Sequence, residues 1–492
     1  MSETATLGTR PEHPEPDGAI AEPVVDAVVA ELAPILASKV GAFRREHRLP
    51  GVAAGIATRD GLRWWHGAGF ADPATGRRPD ERTLYRIASI SKTITATTVL
   101  QLRDEGRLGL DDPAVRHLPE LAAVADPFGS IEALTIRRLL QHTSGLQGEA
   151  PWQDTDRIWM YRPAELLAAL PLARVATPPE VDHKYSNLGF ELLGLIVARI
   201  AGVPFPQHAR ATVLDPLGMR DTVWHPDEEQ SPRRAVGHDA RARDDRPPVA
   251  RDIASDTATA DGGLWSTLED LGRWVAQQLR ADPALERGPG QVLAGRTLAE
   301  MHRPTFASKP DLTEAQGLCW YATRKGETIL VGHSGALWGF LSNVSFSAAG
   351  RVGAIVLLNG VGPASTLART LVEAVLPAIR EADDRVPLAA PPEPAPDAWR
   401  ELLGTYRDPE FGTDIVVDWR DGRLVIVGDP TDGEPDHPLE PTSEPLVFTI
   451  RDGRPGGEPL VFGRGADGRI DRCNAAGYPA MRVDLLAPPT WR

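Results

Sequence analysis

The sequence runs to 492 residues, more than one compact core accommodates, so two domains are expected. Its formal charge of −15 repels phosphate backbones and gives no support for an anionic membrane surface, which excludes nucleic acid and membranes as expected partners. Hydrophobic residues at 42% and charged residues at 25% put the chain among ordinary soluble globular proteins.

The first 23 residues are rich in Pro and Glu and read as a loose tail. They lack the basic-then-apolar pattern of an export signal, and no apolar run approaches the roughly 20 residues of a membrane helix, so a cytoplasmic location is expected. Val24 to His47 predicts an amphipathic helix with Val28, Leu32, Ile35, Leu36, Val40 and Phe43 on its apolar face. Gly51 to Ala57 and Arg63 to Gly69 predict two strands around the turn Arg59-Asp60-Gly61. Ser89 to Glu105 predicts a helix stopped by Gly106, and its many threonines suit a buried element rather than a solvated one. Helices are also expected over Ile136 to His142 and over Asn187 to Ala201, the second ended by Gly202. His225 to Gly263 is a long polar segment of the kind that is functional or disordered.

Glu327 to Gly332, Leu341 to Phe346 and Val352 to Asn359 predict neighbouring antiparallel strands, and Leu367 to Leu376 a closing helix with Pro377 just beyond it. Five prolines between Pro387 and Pro396 mark a semi-rigid linker. Beyond it the texture is short strands, Ile415 to Trp419, Leu424 to Val427, Leu446 to Ile450 and Leu460 to Phe462. Asp-Gly turns at Asp421-Gly422, Asp452-Gly453 and Asp467-Gly468 separate them, so Trp399 to Leu486 reads as a small all-β barrel or sandwich. The two cysteines, Cys319 and Cys473, have no metal-type spacing and read as buried thiols. No metal or other cofactor is expected.

Only five of the 53 basic residues are lysines: Lys39, Lys92, Lys184, Lys309 and Lys325. Arg does not give up its proton in a protein and a buried Lys can, so each lysine invites a chemical question. One lies in Ser89-Ile90-Ser91-Lys92. Residues three apart share a helix face, so the Ser89 hydroxyl and the Lys92 amine can meet. A serine needs a base beside it to attack, and a desolvated Lys loses its charge more readily. A helix N-terminus at Ser89 would favour a developing oxyanion. The bland alternative is a cap serine followed by a surface lysine.

Tyr185-Ser186-Asn187 adds a phenol that can exchange a proton beside a cation and an amide that can hold a carbonyl. Its bland alternative is a core Tyr, with Asn187 capping the following helix. His333-Ser334-Gly335 ends a strand; Gly335 lets a ligand lie against the strand edge, and His333 can supply a proton or a charge. The chain has no Gly-x-Ser-x-Gly elbow, no phosphate loop and no His-Glu-x-x-His. His117, His142 and His183 read as structural or surface residues.

In this order and spacing the three motifs resemble the serine β-lactamase and penicillin-binding-protein group: class C β-lactamases, DD-peptidases and family VIII esterases. Phe70 to Leu100 is similar in texture, as are Leu139-Leu140-Gln141-His142-Thr143-Ser144-Gly145-Leu146, Pro216-Leu217-Gly218-Met219 and Ala260-Asp261-Gly262-Gly263-Leu264. The resemblance spans about residues 25 to 380. It implies an α/β (α+β) β-lactamase/transpeptidase-like fold, with a five-stranded antiparallel sheet flanked by helices, an all-helical lobe, and the site between them. The expected division is a tail over 1–23, this domain over 24–385, a linker over 386–397 and the small β domain over 398–492.

The resemblance implies an acyl-enzyme on Ser89, with Lys92 and Tyr185 sharing the base role, and an oxyanion hole from the amides of Ser89 and Ala336. Asn187, His333, Ser334 and Gly335 would line the substrate site. Gln147 is a candidate to reach the substrate, and Trp338 to wall the acyl pocket or to pack in the core. One departure matters: β-lactamases of this group usually carry Lys-Thr-Gly where this chain has His333-Ser334-Gly335. A small ester, amide or peptide substrate is therefore expected, with esterase or D-amino-acid peptidase activity ahead of β-lactamase activity. An acyltransferase, or an inactive binding protein of the same fold, is the alternative. The sequence leaves the oligomeric state open.

Overall fold

The computed structural model describes residues 22–151, 162–238, 260–283, 286–288, 290–309, 311–325, 328–384, 395–408, 414–420, 422–428, 435–453 and 455–483. Most of the polar segment after His238 and nearly all of the proline-rich linker lie outside the described residues. Residues 22–384 and 395–483 form two compact units.

In the first unit, α1 (Glu22–Glu46) leads into the hairpin β1 (Gly51–Thr58) and β2 (Gly61–Gly69). Ile35, expected on the apolar face of α1, is instead 52% exposed, while Leu36 and Val40 are fully buried. The short β3 (Tyr85–Arg86) and a 3₁₀ turn over Ala88–Ile90 open α2 (Ser91–Asp104). There follow α3 (Ala114–His117), α4 (Ile136–Leu140), α5 (Pro163–Ala169), α6 (Asn187–Ala201) and α7 (Phe205–Ala209). β4 (Trp265–Ser266) pairs with β3, and α8 (Leu268–Gln278) and α9 (Gly295–His302) come next. The chain then builds β5 (Phe306–Ala307), β6 (Glu314–Gln316), β7 (Tyr321–Lys325), β8 (Thr328–Leu337), β9 (Phe340–Ser347) and β10 (Val352–Leu358), and ends in α10 (Ala364–Asp384).

These strands form one antiparallel sheet in the order β2-β1-β10-β9-β8-β7-β6-β5. Five strands are implied by the resemblance and eight are present: β5, β6 and β7 extend the sheet past β8. They are too short to carry a hydrophobic period of their own. Every residue of β1 is buried, because helices cover both faces. On one face Ala54, Ile56 and Val356 pack with Leu36, Val40, Leu371 and Val375 of α1 and α10. On the other, Ala53, Ile355 and Phe346 join Trp274, Trp320 and Ile94 in the core shared with the helical lobe.

The closing helix does not stop at Pro377; α10 runs through it to Asp384. Pro377 lies on the exposed side, and the buried Val375, Leu376 and Ile379 hold the helix across the missing amide. α4 is shorter than expected, since His142 has already turned left-handed at φ 57°. The threonines of α2 are buried and satisfy their hydroxyls along the helix: Thr93 bonds the Ile90 carbonyl at 2.7 Å and Thr97 that of Thr93 at 2.9 Å.

The second unit begins with α11 (Asp397–Arg400). Its strands are β11 (Gly404–Arg407), β12 (Asp414–Arg420), β13 (Arg423–Ile426), β14 (His437–Pro441), β15 (Val447–Ile450), β16 (Pro459–Arg464), β17 (Ile470–Ala475) and β18 (Tyr478–Arg482). They close into a barrel through pairing of β11 with β18. Tyr406, Leu424, Phe448, Ile450, Leu460, Phe462 and Cys473 fill its centre. Both cysteines are free and buried.

Candidate active site

Ser89 is held by three elements. The Ile87 N–H donates to the Leu264 carbonyl at 3.0 Å, which ties the turn to the segment before β4. The Ile87 carbonyl accepts from the Ser342 hydroxyl on β9 at 2.8 Å. Gly335 on β8 lies beneath: a Cβ there would stand 2.1 Å from the Ile87 oxygen, so only glycine lets strand and turn touch. Ala88 is left-handed at φ 48°, a conformation that costs a non-glycine residue about 1 kcal/mol or more. Ser89 itself is partly open while its neighbours are buried.

Lys92 is fully buried one turn along. Its Nζ donates to Ser89 Oγ at 3.2 Å and to the Asp261 main-chain carbonyl at 2.6 Å. The Asp261 carboxylate is 3.6 Å from Nζ, and the Tyr185 ring lies beside the same amine with its centroid 5.2 Å away. Burial works against the ammonium, but the oxygen of Tyr185 and the carboxylate of Asp261 outweigh it and raise the Lys92 pKa above the ordinary lysine value. The direction is opposite to the one burial alone predicts.

Tyr185 arrives on the chain leading into α6. The cap of that helix is Ser186, not Asn187: its Oγ accepts the Gly189 N–H at 2.9 Å and donates to the Gln147 carbonyl at 2.7 Å. Asn187 is thereby free to turn its amide to the cleft. Its Nδ2 donates to Glu149 at 2.7 Å, and its Oδ1 has no partner among the described residues. One turn further, Glu191 hydrogen-bonds Asp261; burial and that neighbouring carboxylate push the Glu191 carboxyl well above the usual range. Glu191 therefore backs Asp261, which backs Lys92.

The far wall is β8. Its last pair with β7 is Gly332 with Tyr321, so from His333 onward β7 leaves that edge of β8 unpaired. Ser334 and Ala336 are exposed there, and Ser334 Oγ accepts from Asn343 at 2.9 Å. His333 is buried, and its Nδ1 donates to the Ser334 carbonyl at 2.7 Å. Burial, then the charge of Lys92, pulls its pKa down to about 3, so the imidazole is neutral at pH 7.

Ser89, Tyr185, Asn187, His333, Ser334, Gly335 and Ala336 line one cleft of about 770 Å³, which continues to Lys309 and Arg369. Lys92 lies directly behind Ser89. Two expected site residues stand apart from this cleft. Both ends of the Gln147 amide are committed to main chain, to Glu149 O at 2.8 Å and Arg174 N at 2.9 Å. Trp338 sits half-buried in the turn between β8 and β9 and is not among the lining residues.

Residues 36–376 match the model of the family described as Beta-lactamase. The chain belongs to the Beta-lactamase family. The family is one of serine hydrolases, and among its members the chain is similar to the D-alanyl-D-alanine-carboxypeptidase/endopeptidase AmpH of Escherichia coli K12. The two are 28% identical over 306 residues, which cover 59% of this chain and 74% of that protein. Its fold is that of a class C β-lactamase structure, with TM-score 0.58 and 21% identity over 70% of this chain and 96% of the other. The octameric penicillin-binding protein homologue from Pyrococcus abyssi matches over 92% of this chain and 100% of its own, with TM-score 0.59 and 20% identity.

Within this β-lactamase-family site, the sequence reading assigned no role to Asp261, Glu191 or Glu149 and took His142 as a structural or surface residue. Asp261 and His142 stand inside runs already similar to the family, which was a signal. Glu191 offered one too, as the only charged residue in the otherwise apolar stretch Leu188 to Val197.

Proposed function

We infer that the protein is a serine hydrolase that cleaves an ester or amide through an acyl-enzyme on Ser89. The observation carrying this reading is Lys92, whose Nζ donates to Ser89 Oγ and lies beside the Tyr185 ring at the floor of a cleft. With Lys92 held charged, Tyr185 is the group left to take the Ser89 proton, which it does as the phenolate paired with that ammonium. Ser89 Oγ then attacks the carbonyl carbon. The amides of Ser89 and Ala336 receive the oxyanion, each such donor typically worth roughly 3 kcal/mol. Collapse expels the alcohol or amine, which leaves with the proton from Tyr185, and water releases the acyl group by the same steps.

The unpaired edge of β8 offers main-chain groups along which an extended substrate can lie, and Asn187 an amide for its carbonyl. A neutral His333 supplies no permanent cation for a β-lactam carboxylate, which favours esterase or D-amino-acid peptidase activity over β-lactam hydrolysis. The carboxypeptidase/endopeptidase name of the Escherichia coli relative is in keeping with the peptidase arm.

A fluorophosphonate probe should label Ser89 in the native protein and not in Ser89→Ala, which should fold normally and lose turnover of short p-nitrophenyl esters. An unlabelled native protein, or an active Ser89→Ala, contradicts the reading. Esters, β-lactams and D-amino-acid amides assayed side by side fix the substrate class. Acyl transfer is the second reading, since the cleft runs on from Ser334 to Lys309 and Arg369 and has room for an acceptor. Product analysis with and without added alcohol or amine separates the two.

A further inference from the structure

His142 is covered on every side and takes part in no step above. Its backbone is left-handed at φ 57°, a region that side chains other than glycine rarely occupy. That conformation aims two acceptors of one residue at the same short stretch of chain. The His142 carbonyl accepts the Lys184 N–H at 2.8 Å, and its Nδ1 accepts the Ser186 N–H at 3.1 Å. The residue between those two donors is Tyr185. The Tyr185 ring lies against the imidazole, centroids 4.2 Å apart and planes 31° apart. His183 and Phe190 close further sides at 5.8 and 5.1 Å.

Accepting at Nδ1 puts the one proton of a neutral imidazole on Nε2, and Nε2 has no partner among the described residues. A left-handed backbone and an unmet buried N–H are two costs borne by one side chain. A core position that needed only bulk would be met by Leu or Phe without the unmet N–H. Both are accounted for if the position serves the residue it grips.

We propose that His142 is a positioning residue that clamps Tyr185 through both neighbouring peptide N–H groups and its ring face, fixing the phenol oxygen against Ser89 Oγ and Lys92 Nζ. The inference rests on the hydrolase reading, in which that oxygen takes the serine proton. The clamp requires an unprotonated Nδ1. Burial, then Lys92, His183 and His333 around it, hold His142 well below the ordinary histidine range, so the acceptor persists through neutral pH.

Two variants separate the grip from mere packing. His142→Phe keeps a ring and removes the acceptor; His142→Asn keeps an acceptor and tolerates the left-handed backbone. With p-nitrophenyl acetate, His142→Phe should lose about 100-fold in kcat at nearly unchanged KM, the scale of a misplaced reacting group. His142→Asn should recover to within about tenfold of the native rate. A folded His142→Phe with native kcat, or an Asn variant no better than Phe, overturns the clamp. If His142→Phe does not fold, long-range proton–nitrogen NMR of the native protein decides. His142 should remain in its Nε2–H form from pH 6 to 9, and an Nδ1–H form overturns the proposal. A native protein that forms no adduct at Ser89 overturns the hydrolase reading itself, which the labelling control reports separately.

Discussion

At Lys92 burial and charge pull in opposite directions, and the charges win because they are close and plural. The Tyr185 oxygen acts first and the Asp261 carboxylate at 3.6 Å second, with the Asp261 main-chain carbonyl at 2.6 Å completing the cage. Asp261→Asn should lower the Lys92 pKa, since the ammonium loses that carboxylate. If turnover needs that ammonium, the alkaline limb of kcat/KM should move to lower pH by about one unit or more. An alkaline limb that does not move contradicts the assignment. Lys92→Arg should cost at least about 1000-fold in kcat. The reason is shape: a planar guanidinium does not fit an enclosed pocket tailored to three donors on one nitrogen. At this scale the sequence was informative about identity and silent about state. Ser89, Lys92 and Tyr185 could be picked from spacing, whereas the charge of Lys92 depends also on Asp261, which reaches it from a distant part of the chain.

Among the elements, β8 and the Ser89 turn meet at a close approach. A Cβ at position 335 would meet Ile87 O at 2.1 Å and Ser342 Oγ at 2.4 Å, so the strand or the turn must shift. Gly335→Ala should destabilise the protein by about 1–3 kcal/mol, the usual cost of overpacking. It should also slow labelling of Ser89 well beyond that cost, because Ser89 rides on the displaced turn. A variant with native labelling rate and native melting temperature would contradict this. The long helices were legible because their periods are strong: α6 runs over Asn187–Ala201 as read, ended by left-handed Gly202. The Pro377 stop was misjudged because tertiary packing of Val375 and Ile379 outweighs one missing amide. In the barrel, β11, β14, β17 and β18 escaped notice. Each offers only one or two inward apolar residues, such as Ile470 and Cys473 in β17, interrupted by charges or prolines.

For the molecule as a whole, pH tolerance follows from its buried histidines. His302 and His333 are both pulled down to about 3, by burial first, and stay neutral in the folded protein. Unfolded, each takes a proton below its ordinary pKa of about 6.5. Their contribution is therefore complete above about pH 6.5 and is lost as pH falls toward 3, at about 2 kcal/mol each by pH 5. Asp270 acts the other way: burial raises it to about 6, so its protonation between about 6 and 4 favours the fold and offsets part of the loss. Urea unfolding at pH 7 and pH 5 should reveal a net fall in stability, and His302→Gln should shrink that fall by about 2 kcal/mol. Equal stability at both pH values would contradict the account. None of this was visible in twelve scattered histidines, since burial is a property of the folded whole.

The complete enclosure of Lys92 also bears on handling the protein. Lys39, Lys184, Lys309 and Lys325 all retain solvent contact, while Lys92 has none. Amine-coupling chemistry, whether to a resin, a dye or a sensor chip, would thus anchor the molecule through a handful of defined points and pass over the one amine that faces Ser89.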